Sequence, residues 1–196
     1  MEELIKIFRE HVIGLANDPK FLHYKWFVEY HLKVVEKISL ELCDIYSDSD
    51  RNLVWVLVWI HDYGKILGSN ELGFSEGKKK LLEIGFEVNF VEKVIDYFKI
   101  MERKMEIDLN EAPIEVKIIS STDGASHLIG PFYQIYFYEN SNKDIKELME
   151  GNIKKAIKDW DRKIVIPEVR EAFIDRHNFL LEQNGKFPDN FFREKK

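Results

Sequence analysis

Between Leu53 and Ile60 the chain runs Leu-Val-Trp-Val-Leu-Val-Trp-Ile without a polar interruption. A helix through these residues is apolar on every side, so it has no face to offer water and must lie at the centre of the fold. The run is far short of the roughly 20 apolar residues that span a bilayer. Elsewhere apolar residues recur at i, i+3, i+4 and i+7, and no segment sustains the alternation of a strand. The pattern predicts an all-α, multi-helix bundle wrapped around the segment 51–63.

Helices are expected over 2–16, 22–46, 51–63, 76–84, 88–104, 113–128, 143–160 and 167–184, and the aromatic segment 132–138 is also read as helix. The first buries Leu4, Ile5, Phe8, Val12, Ile13 and Leu15 and ends at Asn17-Asp18-Pro19, since proline lacks a donor and disfavours helix before it. The second turns Phe27, His31, Val34, Val35, Ile38, Leu42 and Ile45 inward. Ser47-Asp48-Ser49-Asp50 supplies a turn and an N-cap for the central helix. Gly64 is placed to terminate that helix, and Gly68, Gly73 and Gly77 suggest a looser stretch beyond it. Pro113 suits the first turn of the helix 113–128, on which Ile119, Asp123 and His127 share one face.

His61 and Asp62 close the apolar run. Unpaired polar groups in such a setting cost roughly 2–7 kcal/mol, and a metal ion would compensate them. His31 and Asp123 are further ligand types turned toward the apolar side of their own helices. Two imidazoles and two carboxylates suit Mn²⁺, Fe²⁺, Co²⁺, Ni²⁺ or Zn²⁺, and Mg²⁺ less well. Consecutive residues on a helix diverge by about 100°, so His61 and Asp62 can share an ion only where a helix ends.

The order His31, then Trp59-Ile60-His61-Asp62-Tyr63-Gly64-Lys65, then Ser120-Ser121-Thr122-Asp123 resembles the HD superfamily of metal-dependent phosphohydrolases over about residues 18–130. The resemblance implies an HD-type core with a C-terminal helical extension over about 131–196, the whole forming one domain. It implies one divalent cation held by His31, His61, Asp62 and Asp123, and attack of a metal-activated water on a phosphoester or phosphoanhydride, with Asp62 orienting or deprotonating that water. Lys65 is a candidate contact for a substrate phosphate, although a lysine is also favourable after a helix C-terminus. Some nucleotidase branches carry an acid at the position of Lys65, which argues against a deoxynucleoside monophosphatase.

The six histidines are His11, His23, His31, His61, His127 and His177, so 62–122 contains none. Multinuclear branches place extra metal-binding histidines in that interval, and their absence favours a mononuclear site over a cyclic-dinucleotide phosphodiesterase. His127 reads as a residue supporting the site or as a packed histidine, and His23 as structural or substrate-facing. Lys99, Arg103 and Lys104 form either a basic wall for phosphate or a solvated face. Two alternatives stand beside the hydrolase: an HD-like regulatory protein that binds metal or nucleotide without turnover, and an RNA-processing HD nuclease.

The formal charge of −6 argues against a protein that coats nucleic acid. The expected partner is a small phosphorylated molecule, with a nucleotide favoured and no membrane involved. Cys43 is the sole cysteine, so no internal disulfide forms, and a buried thiol is expected. The acidic start Met1-Glu2-Glu3 has no apolar leader, and a cytoplasmic protein is expected.

Overall fold

A computed structural model of the protein describes residues 1–103 and 106–190. Every element among them is helical: α1 Glu2–Ala16, a π-helical turn Val28–Leu32 that runs into α2 Lys33–Ile45, α3 Arg51–Ile60, α4 Tyr63–Leu67, α5 Asn70–Ile84, α6 Val88–Glu102, a 3₁₀ turn Leu109–Glu111, α7 Ile114–Ser126, α8 Phe132–Glu139, α9 Ile145–Arg162 and α10 Pro167–Gln183. The all-α reading holds. No described helix is long and apolar enough to cross a membrane.

The apolar run sits where its composition requires. Seven of its eight residues are buried, and α3 packs against α1, α2, α6 and α7. The exception, Trp55, has its own tie: the indole N–H groups of Trp55 and Trp59 donate to Glu36 Oε1 at 2.6 and 2.8 Å. Arg9 Nε donates to the same oxygen at 3.2 Å, and its guanidinium lies 4.7 Å over the Trp59 ring. One carboxylate thus joins α1, α2 and α3 and satisfies the indoles of half-buried Trp55 and buried Trp59. Asp50 caps α3, accepting from Leu53 N–H at 3.1 Å, while its own N–H donates to Glu115 of α7 at 3.2 Å. Ser39 of α2 and Thr122 of α7 are hydrogen-bonded at 2.8 Å. Cys43 is a buried free thiol.

Four details depart from the periodicity. The expected helix 22–46 is helical only from Phe27; before it the chain makes successive turns, Phe21 N–H to Asp18 O, Tyr24 N–H to Phe21 O and Trp26 N–H to His23 O. Tertiary contacts hold those turns: Phe21 packs edge-on against Phe27, and His23 and Trp26 reach Glu139 of α8. Ile45, expected inside, is 58% exposed. Pro113 is the residue before α7 rather than within its first turn.

The fourth departure bears on the site. The central helix ends at Ile60, and Gly64 lies within α4, which Gly68 closes at φ +90°. Gly64 serves close approach instead of termination. Helix α5 begins at Asn70, capped by the Ser69 hydroxyl accepting from Leu72 N–H at 3.1 Å, and its Gly73 lies directly on Gly64. A Cβ on Gly73 would stand 2.6 Å from Gly64 Cα, and one on Gly64 would stand 2.9 Å from Asn70 Oδ1. Glycines read as loop signals are therefore a helix-crossing contact.

Gly73→Ala should consequently destabilise by about 1–3 kcal/mol, because backbone cannot yield as a flexible side chain can, although alanine is the better helix former. A denaturant melt showing equal or greater stability would reject the contact.

His177 supplies a second test. It is buried against Trp160 with ring centroids 4.4 Å apart, and neither ring nitrogen has a partner among the described residues. Burial lowers its pKa, as it does for His11. The unfolded chain therefore takes up protons below about pH 6.5 that the folded chain refuses, and stability is lost as pH falls from about 7 to 5. His177→Phe keeps the stacking and removes two unsatisfied atoms, so it should stabilise by about 1 kcal/mol or more and shrink the fall in Tm between pH 7.5 and 5.5. An unchanged pH dependence in this variant would contradict the assignment.

Candidate metal centre

Three helical segments meet at the end of α3. His31 comes from the π-helical turn, a local widening often found at functional sites. His61 and Asp62 occupy the break between α3 and α4, where Asp62 has φ −113° and ψ 16°. Asp123 projects from α7. The ligand-type atoms of His31, His61 and Asp123 all lie within 4.8 Å of one another, and all three residues are buried. Asp62 Oδ2 is 3.1 Å from His31 Nε2 and 3.6 Å from His61 Nε2, and Asp123 Oδ1 is 4.0 Å from His31 Nε2.

The hydrogen bonds behind the cluster fix its chemistry. His61 Nδ1 is 2.7 Å from the carbonyl of Val58, which can only accept, so Nδ1 carries the proton. Ser126 donates its hydroxyl hydrogen to the Asp123 carbonyl at 2.7 Å, and its oxygen receives His31 Nδ1–H at 2.9 Å. Both Nε2 atoms are then unprotonated in the neutral rings, yet they face each other at 3.3 Å. Burial, outweighing the Asp62 contact, lowers the pKa of His31 and keeps it neutral. Burial pushes the Asp62 carboxyl up, but the Lys65 ammonium beside it holds it well below its usual range. Two imidazole lone pairs and the Asp123 carboxylate thus converge, while Asp62, which the sequence grouped with them, lies beside the two rings and outside that group. That donor set fits a divalent cation, with each ring held by its far nitrogen as metal-binding histidines are.

Beyond the four sequence candidates lies a charged layer that periodicity did not disclose. Lys163, at the end of α9, donates to Asp123 Oδ2 at 3.0 Å and to Asp159 Oδ1 at 3.2 Å. Asp159 Oδ2 accepts from His127 Nδ1 at 2.7 Å and from Lys155 at 2.6 Å. Burial disfavours the Lys163 ammonium, but the two carboxylates raise its pKa above the ordinary value. Lys163 leaves Asp123 Oδ1 toward His31 and His127, the latter at 3.6 Å. His127 is therefore a buried partner of this network, stacked on His31 and on Phe132 with centroids 5.3 and 3.9 Å apart. Its pKa is held down to about 3, chiefly by burial and then by Lys155.

Lys65 stands 3.3 Å from Asp62 Oδ2 with its side chain 45% exposed, so it can turn to a ligand. His23 donates to or accepts from no cluster residue; it contacts Glu139 at 3.2 Å. Lys99 and Arg103 pair with Asp96 and Glu106 at the surface, and Lys104 lies outside the described residues.

No family model, curated protein or solved structure matches the chain. The centre is accordingly defined by its own geometry: a buried His/His/Asp group in an all-α protein that could hold a metal ion.

Metal stripped and then restored gives a direct measurement. Saturating divalent cation at about 100 times its Kd should stabilise by about 2.7 kcal/mol, seen as a rise in Tm with at least one of Mn²⁺, Co²⁺, Ni²⁺ or Zn²⁺ and retention of near-stoichiometric metal by elemental analysis. His61→Ala should abolish both. A wild-type protein indifferent to every cation would show the cluster to be structural.

Proposed function

We propose that the protein is an HD-type metal-dependent phosphohydrolase acting on a small phosphorylated molecule, with a nucleotide the favoured substrate. The observation that carries this reading is the approach of the His31 and His61 Nε2 atoms to 3.3 Å, flanked by Asp62 and Asp123. The order of those residues along the chain, His31, His61-Asp62, Asp123, supports it independently.

A divalent cation at such a site lowers the pKa of a water molecule and offsets charge on phosphoryl oxygens. His31, His61 and Asp123 would hold it. Asp62 is ionised, and its side chain is 19% exposed where the other three are nearly sealed. In this reading it would accept a hydrogen bond from an incoming nucleophile. Lys163 keeps Asp123 in place, and Ser126 and the Val58 carbonyl keep the imidazoles aimed. Lys65 brings a compact positive charge to the exposed side of Asp62, suited to a phosphoryl oxygen.

Metal-loaded wild type assayed for phosphate or pyrophosphate release from a nucleotide panel should turn over, with loss in excess chelator and a fall of orders of magnitude in Asp62→Ala. Lys65→Ala should keep metal and fold while losing about ten- to hundredfold in kcat/KM, the equivalent of one charge-assisted hydrogen bond of roughly 1.5–3 kcal/mol. Lys65→Arg should recover only part, since a planar fork replaces a point charge. Nucleotide binding without turnover under any metal would favour the regulatory reading, and kinetics unaltered in Lys65→Ala would reduce Lys65 to a partner of Asp62.

A further inference from the structure

The histidines of the centre follow one pattern. His61 Nδ1 is held by the Val58 carbonyl and His31 Nδ1 by the Ser126 hydroxyl, which leaves each Nε2 turned to the cluster. His127 repeats the pattern at the end of α7. Its Nδ1 donates to Asp159 Oδ2 at 2.7 Å. A carboxylate oxygen accepts, so the ring proton sits on Nδ1 and the Nε2 of the neutral ring carries a lone pair. That lone pair faces Asp123 Oδ1, again a carboxylate oxygen, at 3.6 Å.

Packing accounts for the place of the ring but not for its direction. His127 is 5% exposed and stacks on both His31 and Phe132, surroundings that would suit a phenyl ring equally. They do not explain why one nitrogen is fixed by a buried carboxylate and the other aimed at a second one. Metal-binding histidines are held in this way, with the far N–H given to a carboxylate, a carbonyl or a water. Of the three rings His127 alone has a carboxylate as its anchor. That anchor is itself held by Lys155 at 2.6 Å and by Lys163 at 3.2 Å, one turn to either side along α9.

The spacing agrees. Neighbouring donor atoms on one cation with bonds of about 2.0–2.2 Å stand roughly 3–4 Å apart. Asp62 Oδ2 to His31 Nε2, His31 Nε2 to His61 Nε2, and His127 Nε2 to Asp123 Oδ1 measure 3.1, 3.3 and 3.6 Å. His127, like Asp62, lies outside the mutually close trio of His31, His61 and Asp123. Asp62 adjoins that trio beside the two imidazoles, and His127 adjoins it beside Asp123.

We infer that His127 is a further ligand to the cation of this centre, through Nε2, and that Asp159 is the residue that orients it. The centre then takes three imidazoles, which shifts its preference toward Zn²⁺, Fe²⁺ and Ni²⁺ and away from Mn²⁺ and Mg²⁺. Helix α9, beyond the residues 18–130 whose order carries the HD resemblance, becomes part of the metal site. The inference rests on the metal-binding part of the proposed function and not on its substrate.

The test is pulsed EPR of the full-length protein loaded with less than one equivalent of Cu²⁺, in which bound imidazoles are counted through their remote nitrogens. The wild type should give three, and His127→Phe, which keeps the stack on His31 and Phe132, should give two. Co²⁺ titrated into the same proteins and followed by its visible absorption should bind about ten- to hundredfold more weakly to His127→Phe and to Asp159→Asn. A merely packed His127 gives the same count in wild type and His127→Phe, and that result overturns the inference while leaving the His31 and His61 ligands in place. If His127→Phe does not fold, the wild-type count decides alone: two imidazoles overturn the inference and three uphold it. A wild type that takes up neither Cu²⁺ nor Co²⁺ overturns it together with the metal centre. Three imidazoles in a protein that hydrolyses no phosphoester keep this ligand set and remove the hydrolase.

Discussion

Two imidazole nitrogens that both lack a proton repel each other at 3.3 Å, and an apolar interior offers little screening of that repulsion. The fold nevertheless enforces the approach. His61 is carried by the helix that the whole protein is built around, with its ring anchored to Val58 one turn back. His31 is carried by a widened helical turn and anchored to Ser126 on α7. Neither ring can retreat without loss of a buried hydrogen bond or of core packing. Stability invested in α3 therefore fixes a geometry that a divalent cation would relieve.

The dipeptide needs more than a central helix. Asp62 can face the same point as His61 only because regular helix stops at Ile60 and resumes at Tyr63, and the resumption is held by α5 through the Gly64–Gly73 crossing. Those glycines are far from the chemistry in function but set the direction of the chain leaving it. The same crossing brings Lys65 to the open side of Asp62. Backbone contact between two short helices thus determines which carboxylate of the cluster is accessible.

How much of this was legible depended on the kind of signal each residue carries. The apolar run 53–60 and the shared face of Ile119, Asp123 and His127 declared themselves because burial and periodicity are local properties of the sequence. The turns before Phe27 did not, since they are stabilised by Phe21 against Phe27 and by Glu139, more than a hundred positions away for Trp26. Gly64 and Gly73 were misread because glycine marks both positive φ and close approach, and only the packing separates the two. Asp159 and Lys163 were invisible. A lysine and an aspartate on an amphipathic helix look like a solvated face, and only the docking of α9 against α7 turns them inward.

That hidden layer changes the electrostatic character of the site. Asp62, Asp123 and Asp159 carry three negative charges, and Lys65, Lys155 and Lys163 carry three positive ones, each paired within 3.3 Å. The carboxylates are already balanced before any cation is present, so what the cluster lacks is a charge for the two imidazole lone pairs. A divalent cation held by the cluster would add its charge to a set that is already balanced. A phosphomonoester carries about two negative charges near neutral pH. Under the proposed reading, the lysines that compensate these carboxylates would leave the cation's charge available to a phosphate dianion, instead of to the site's own acids.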